Sequence, residues 1–276
     1  MANSRLNFAE QDLRNRSFKG QNLNQANFSG ADLRGCDFSY ALLQGANFQG
    51  VRLGQTSRQL LMLIGVAVSV ALLTLNAFSQ MIFGILGRTP SESGWSLAIA
   101  LYISLALAGT FGGIRAIIAN KSSISGRITL IVSGAASAAL VGFFYGGSTT
   151  NNNSQMAILG AVLGGLIMAI LLISRVATRL MVIAVAVSGV VSGYGLAFLF
   201  GTVAIANFSV QNLIWGMVWG TLSLIYIAVT MVSLKFTVTE IKGVGTSFRG
   251  ADLTNAIFDQ VILQNIDFKG SIGYIA

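Results

Sequence analysis

The chain has 276 residues, of which 54% are hydrophobic and 9% charged, with a formal net charge of +8. That balance is too apolar for an ordinary soluble domain and calls for membrane-spanning segments. There is no His, and the lone Cys forms no disulfide within the chain, as suits a reducing compartment.

The first feature along the chain is a period of five. Phe8, Leu13, Phe18, Leu23, Phe28, Leu33, Phe38, Leu43, Phe48 and Leu53 alternate between Phe and Leu without a break. On a helix, a step of five turns by about 500° and scatters these residues around the axis. On a flat strand, an odd step sends successive residues to opposite faces. A chain that turns once per repeat re-aims each apolar residue at a common axis, which is a solenoid. The flanking residues agree. Ala26, Ala31, Ala41 and Ala46 stand two positions before a centre, where a small inward side chain fits. Asn7, Asp12, Asn22, Asn27, Asp32, Asp37 and Asn47 stand one position before, and such side chains bond nearby backbone in tight turns. Cys36 takes the small inward position and reads as a buried stand-in for Ala. Gln11, Arg16 and Gln21 replace the small residue, so the first coil is expected either to fray or to be covered by these side chains. Leu42, Ile257 and Ile262 replace the usual Asn or Asp, as apolar contacts for a neighbour or as tolerated variation.

Next come long stretches without charge: Arg58 to Arg88, Ser93 to Ile114, Ile128 to Ser174 and Leu180 to Leu234. A span needs about 20 apolar residues. The first two stretches hold one span each, and the last two hold two each, broken at Gly146–Gln155 and Asn207–Asn212. The predicted spans are 60–86, 95–118, 127–146, 156–174, 180–205 and 213–235. The first begins near residue 60, behind a folded-looking segment, so no cleavable signal peptide is expected. Arg52, Arg58, Lys235 and Lys242 flank the spans, Arg115, Lys121 and Arg127 lie at the second connection, and Arg175 and Arg179 at the fourth. The first connection has Arg88 offset by Glu92, and the third and fifth have no charge. Positive charge on alternate connections predicts six spans with both termini cytoplasmic. Arg58, Arg127 and Arg179 each open an odd-numbered span, which admits three similar helical hairpins. Gly109 and Gly113, Gly142 and Gly146, Gly160 and Gly164, Gly189 and Gly193, and Gly216 and Gly220 stand four apart. Such pairs let helix backbones approach in lipid, so the last five spans are expected to form a compact bundle, with self-association open.

The five-residue pattern then resumes as Phe248, Leu253, Phe258, Leu263 and Phe268, starting on the residue type that should follow Leu53. An even number of spans returns the chain to its starting side, so the two pieces are expected to close into one stack. The domains are thus 1–55 with 246–276, and an inserted 56–245. Segments such as Ala26-Asn27-Phe28, Ala31-Asp32-Leu33 and Ala251-Asp252-Leu253 resemble the pentapeptide-repeat family, whose motif is roughly A-(D/N)-(L/F)-x-x. The resemblance covers 6–55 and 246–270 and implies a right-handed quadrilateral β-helix with like stacked on like. The expected fold is therefore mixed, a β-solenoid with an inserted all-α transmembrane bundle. Membrane-attached members familiar from cyanobacteria further imply a plasma or thylakoid membrane, with a photosynthetic complex as one conceivable partner.

Reactive chemistry is sparse. No Asp or Glu falls inside a predicted span, and no phosphate loop, metal-ligand cluster or nucleophile arrangement stands out. Arg115 reads as a snorkelling residue, and Asn76, near Thr74 and Ser79, as a buried amide bonding a neighbouring helix. Pro90 falls in an outer connection, and Gly195 with Gly189 and Gly193 would suit either close packing or an interrupted helix. Trp95, Trp215 and Trp219 fall near outer span ends, as interface anchors do. Residues 1–58 carry seven Lys or Arg against four Asp or Glu, net +3. That argues against nucleic-acid partners and against the acidic DNA mimicry of some family members. The expectation is a membrane protein that is no enzyme, has no cofactor, and uses its solenoid to dock or assemble other membrane proteins. The alternative is a transporter or channel for a neutral solute. A polar cavity lined by Asn76, Tyr102 and Tyr194 would favour transport; a bundle closed by Gly contacts, with an apolar outer groove, would favour docking.

Overall fold

The computed structural model describes residues 6–85, 91, 95–118, 124–174, 179–263 and 265–273. Arg88, Pro90, Glu92, Lys121 and Arg175 lie outside them. The chain divides into two compact units, Met1–Ile64 with Thr239–Ala276 and Gly65–Val238. The division falls inside the first and last helices rather than at residues 55 and 246.

In the first unit, the residue before each centre makes a single parallel bridge to its counterpart one coil later. Asn7 pairs with Asn27, Asn27 with Asn47 and Asn47 with Ile257; Ser17 pairs with Asp37, Asp37 with Ser247 and Ser247 with Asp267. The bridges therefore pass from the N-terminal repeats directly to the C-terminal ones. Among the described residues no bridge lengthens into a strand. The reason is local: the second residue after every centre but Leu53 has φ between 56° and 75°, from Glu10 and Asn15 to Asn265 and Gly270. This left-handed corner ends each side after one bridging residue. The Asx side chains stabilise the corners. Asp12, Asn27, Asp37, Asn47 and Asp252, among others, each accept from the N–H two residues on, at 2.9–3.3 Å.

Inside, the Phe rings stack coil on coil. Phe18 lies 4.9 Å from Phe38, Phe38 5.1 Å from Phe248, and Phe248 5.3 Å from Phe268, all within 7° of parallel. A second column runs Phe8, Phe28, Phe48, Phe258 at 4.8–5.1 Å. Leu13, Leu23, Leu33, Leu43 and Leu253 are buried among the small Ala26, Ala31, Ala41, Ala46 and Ala251. Phe8, Leu53, Phe258 and Phe268 are partly buried against this core. In the first coil Leu13, Phe18 and Leu23 are already no more than 6% exposed, and bridges begin at Asn7.

Leu263 departs from the expectation: it is 42% exposed and is not a core residue. The ladder on its face runs from Asp12 to Asp32 to Arg52, and no described bridge continues to Ile262. At that corner the chain leaves at Gly54 and returns at Thr246. The Thr246 N–H donates to the Gly54 carbonyl (3.0 Å) while the Gly54 N–H donates to Thr246 Oγ1 (3.0 Å).

The helices are α1 (Ser57–Ile85), α2 (Trp95–Ile117), α3 (Ile124–Ser148), α4 (Ser154–Ile173), α5 (Arg179–Ser209) and α6 (Leu213–Lys242). All six are long and apolar enough to cross a membrane. Thr56 and Gln59 cap α1 reciprocally, each N–H donating to the other's side-chain oxygen at 3.2 Å. Asn153 caps α4 by accepting from the N–H groups of Gln155 and Met156. α6 runs past residue 235 because no breaker intervenes before Gly243. The centre of the helical unit is α5, whose most apolar window is 67% buried, against 11% for α4 and α6. Close backbone packing joins α3 to α4, α2 to α3, α2 to α5 and α3 to α5. Of the three sequential hairpins, the middle one alone is packed this closely among the described residues.

Candidate functional site

The glycines gather where helices touch. A Cβ on Gly142 would run into the carbonyl of Gly160, and one on Gly160 into that of Gly142. Gly146 faces Gly160 and the Met156 carbonyl, and a Cβ on Gly164 would come 2.6 Å from the Ala138 carbonyl. These four lock α3 on α4. Between α2 and α5, a Cβ on Gly109 would come 3.0 Å from the Gly193 nitrogen. Gly112, which the four-residue spacing misses, would come as close to Gly189. Gly113 instead faces Val229 of α6, and Gly193 also faces Thr230. The α6 pair differs. Gly216 lies under the Phe208 ring, and Gly220 meets only Ala204 at ordinary contact distance.

Hydroxyls bridge these contacts. Ser133 Oγ donates to the Ala108 carbonyl (2.9 Å), Ser223 Oγ to that of Ala197 (2.7 Å), and Thr110 bonds Tyr226 (2.6 Å). Arg115 is buried rather than extended to a surface; its Nη1 donates to the Gly126 carbonyl and its guanidinium lies 5.9 Å from the Phe236 ring. Asn76 is exposed, not buried, yet its amide bonds the Tyr145 hydroxyl of α3 (3.4 Å), which donates to the Leu73 carbonyl. It is thus a tie between helices, with its residue on the rim. Tyr102 packs against the apolar cluster around Phe78 and Leu105. Trp219 stacks on Phe200, and Trp215 is exposed.

Two recesses described in this unit are apolar. One, of about 220 Å³, lies between α1 and α5 beside Phe78, Ile82, Val191, Tyr194, Gly195 and Phe198. Tyr194 stands 60% exposed at its edge. Asn76, Tyr102 and Tyr194 do not converge on one polar cavity there. The other, of about 70 Å³, lies between Leu101 and Phe143.

On the repeat unit the outward positions carry the chemistry. Arg14 forks onto Asp12, with Nε at 2.8 Å and Nη2 at 2.5 Å, and Arg34 does the same on Asp32 at 2.9 and 2.6 Å. The Arg14 guanidinium holds the Asp12 carboxyl down to about 2, and Arg34 holds Asp32 below its usual range. Burial pushes the Cys36 thiol up to about 12, and its Sγ lies 3.0 Å from the Leu13 carbonyl. Leu42, Ile257 and Ile262 are 44%, 51% and 74% exposed. Among the described residues no group of His, Cys, Asp and Glu is placed to hold a metal. Sequence reasoning missed Thr246, fully buried and bonded to Leu33 and Gly54; the signal was a Thr in the small inward position two before Phe248.

Compared with curated proteins and with solved structures, the chain shows no match. The family model of the pentapeptide repeats matches residues 4–39, 12–50 and 244–272, in eight copies. The bridged segments that precede and follow the six apolar helices in sequence are pentapeptide repeats.

Proposed function

We propose that this is an integral membrane protein whose repeat segments form one right-handed, four-sided β-solenoid on the cytoplasmic side, displayed to dock and organise other membrane proteins. The observation that carries this reading is the outward placement of Leu42, Ile257 and Ile262. Each stands where the repeat usually has an Asn or Asp whose side chain braces its own corner. An apolar side chain there gives up that bond and gains nothing inside the stack, which fits contacts with a partner that reaches more than one side, since Leu42 lies in the ladder of Asp252 and Ile257 in that of Asn47. The single-residue bridges and the unbroken Phe columns support the solenoid, and charge on alternate connections supports the cytoplasmic placement.

The helical unit supports docking over transport. Its helices touch at glycine backbones, its described recesses are apolar, and Asn76 is spent on a tie to Tyr145. The test compares the natural chain with Leu42→Asp/Ile257→Asp/Ile262→Asp after gentle extraction from its native membrane. We expect a defined co-purifying membrane protein with the former and its loss with the latter, at equal yield and melting temperature. Recovery of both forms alone sinks the docking reading. Faster passage of a neutral solute into liposomes holding the purified chain than into empty ones supports a transporter instead.

A further inference from the structure

We infer that the repeat unit holds a binding site for the phosphate of an anionic lipid headgroup. Arg14, Arg16, Arg34 and Arg58, with Thr56 and Ser57, line an open recess of about 560 Å³. That size suits a small polar ligand. The four guanidiniums are not equivalent. Arg14 and Arg34 are spent on carboxylates, forking onto Asp12 and Asp32 with Arg14 also 3.9 Å from Asp32, and the two forks hold them in fixed orientation. Arg16 and Arg58 are exposed and have no carboxylate partner among the described residues. Four cations less the two paired carboxylates leave a local charge of +2, carried by Arg16 and Arg58. The start of α1 adds to this. The Thr56–Gln59 cap sits at the recess, no acidic residue occupies the first turn, and the positive end of the helix faces the same space.

The source of the phosphate follows from the helix that Arg58 opens. The apolar span Ser57–Gly84 has 28 residues. At about 1.5 Å per residue it is roughly 42 Å long, against a hydrocarbon core of about 30 Å, so its first residues belong to the headgroup layer. The abundant phosphate at that level is lipid phosphate, and the two cations without a carboxylate partner among the described residues, Arg16 and Arg58, match its negative charge. The site does not depend on the docking role, since none of its residues is among Leu42, Ile257 and Ile262.

The test uses the full chain purified in detergent, with native mass spectrometry after addition of phosphatidylglycerol or phosphatidylcholine. We expect preferential retention of phosphatidylglycerol. In Arg16→Gln/Arg58→Gln its affinity should fall about thirtyfold, the effect of two interfacial cations. Lys19→Gln/Arg52→Gln, which removes the same charge outside the recess, should leave it within about twofold of the natural chain. Arg16→Lys/Arg58→Lys keeps the charge and should keep most of the affinity, which separates lost binding from lost folding. Equal retention of both lipids, or an equal loss in Lys19→Gln/Arg52→Gln, overturns the site. Inorganic phosphate that raises the melting temperature as much as phosphatidylglycerol does overturns the lipid as its source.

Discussion

The repeat unit and the helical unit solve the same problem by opposite means. In the repeat unit, backbone groups seek partners in the next coil. Phe38 N–H donates to Ser247, and Ser247 N–H to Cys36, so the stack is knit by main chain and the side chains fill it. In the helical unit each helix satisfies its own backbone, as a lipid environment demands. What joins helices is then shape: bare glycine against carbonyl, with hydroxyls such as Ser133 as cross-ties. The lesson is that losing a side chain should harm the first unit most, and gaining one should harm the second.

The largest effect expected from that contrast is Phe38→Ala. This ring is fully buried and sits between Phe18 and Phe248. Its removal should cost about 3–5 kcal/mol and expose the repeats to protease at a lower denaturant concentration. Gly142→Val tests the other half. The added side chain meets the Gly160 backbone, so the melting temperature in detergent should drop by the equivalent of about 1–3 kcal/mol. Gly65→Ala sharpens it: no atom lies near a Cβ there, and the change should raise helix stability by about 0.5–1 kcal/mol. A loss there as large as at Gly142 breaks the comparison.

A smaller effect should follow pH. The Asp12 carboxyl falls from its ordinary 3.8 to about 2 beside Arg14. A depressed carboxyl stabilises the fold above the ordinary value, and that contribution is lost as pH falls through about 2. Acid unfolding of the repeat unit should therefore be shallower between pH 4 and 2 in Asp12→Asn/Asp32→Asn than in the natural chain, as read by circular dichroism. Smallest of all is Cys36→Ala, a near-neutral change into the residue that fills this position elsewhere in the stack. In the folded natural chain the thiol should resist maleimide at neutral pH, and rapid labelling would show the inward position to be open.

The two units also differed in how far they could be read from residues alone. A period of five assigns every repeat residue a role by phase, so Phe38, Ala41 and Asp37 could be placed inward or at a corner one by one. The phase failed at Leu263, which is exposed on the side where the ladder ends at Arg52; a pattern does not show where the chain departs from it. In the helices, hydropathy gave the spans, but which faces meet depends on a neighbour distant in sequence. Spacing by four found Gly142 and Gly160, yet missed Gly112 against Gly189, because residues three apart also share a helix face. Asn76 shows the same gap, since polarity reveals a need for a partner and not the direction in which Tyr145 supplies it.

The shared Phe columns have a consequence for how the molecule comes into being. Ser39 and Ser247 touch across a buried hydrogen bond although 208 residues separate them in the chain. The ribosome makes the helices in between, so Phe38 and Phe48 must wait with one ring face bare until Phe248 and Phe258 emerge. Closure of the stack is then a late latch. It can engage only when the intervening helices have brought the returning segment back beside the first, which makes the finished stack a built-in check on correct insertion.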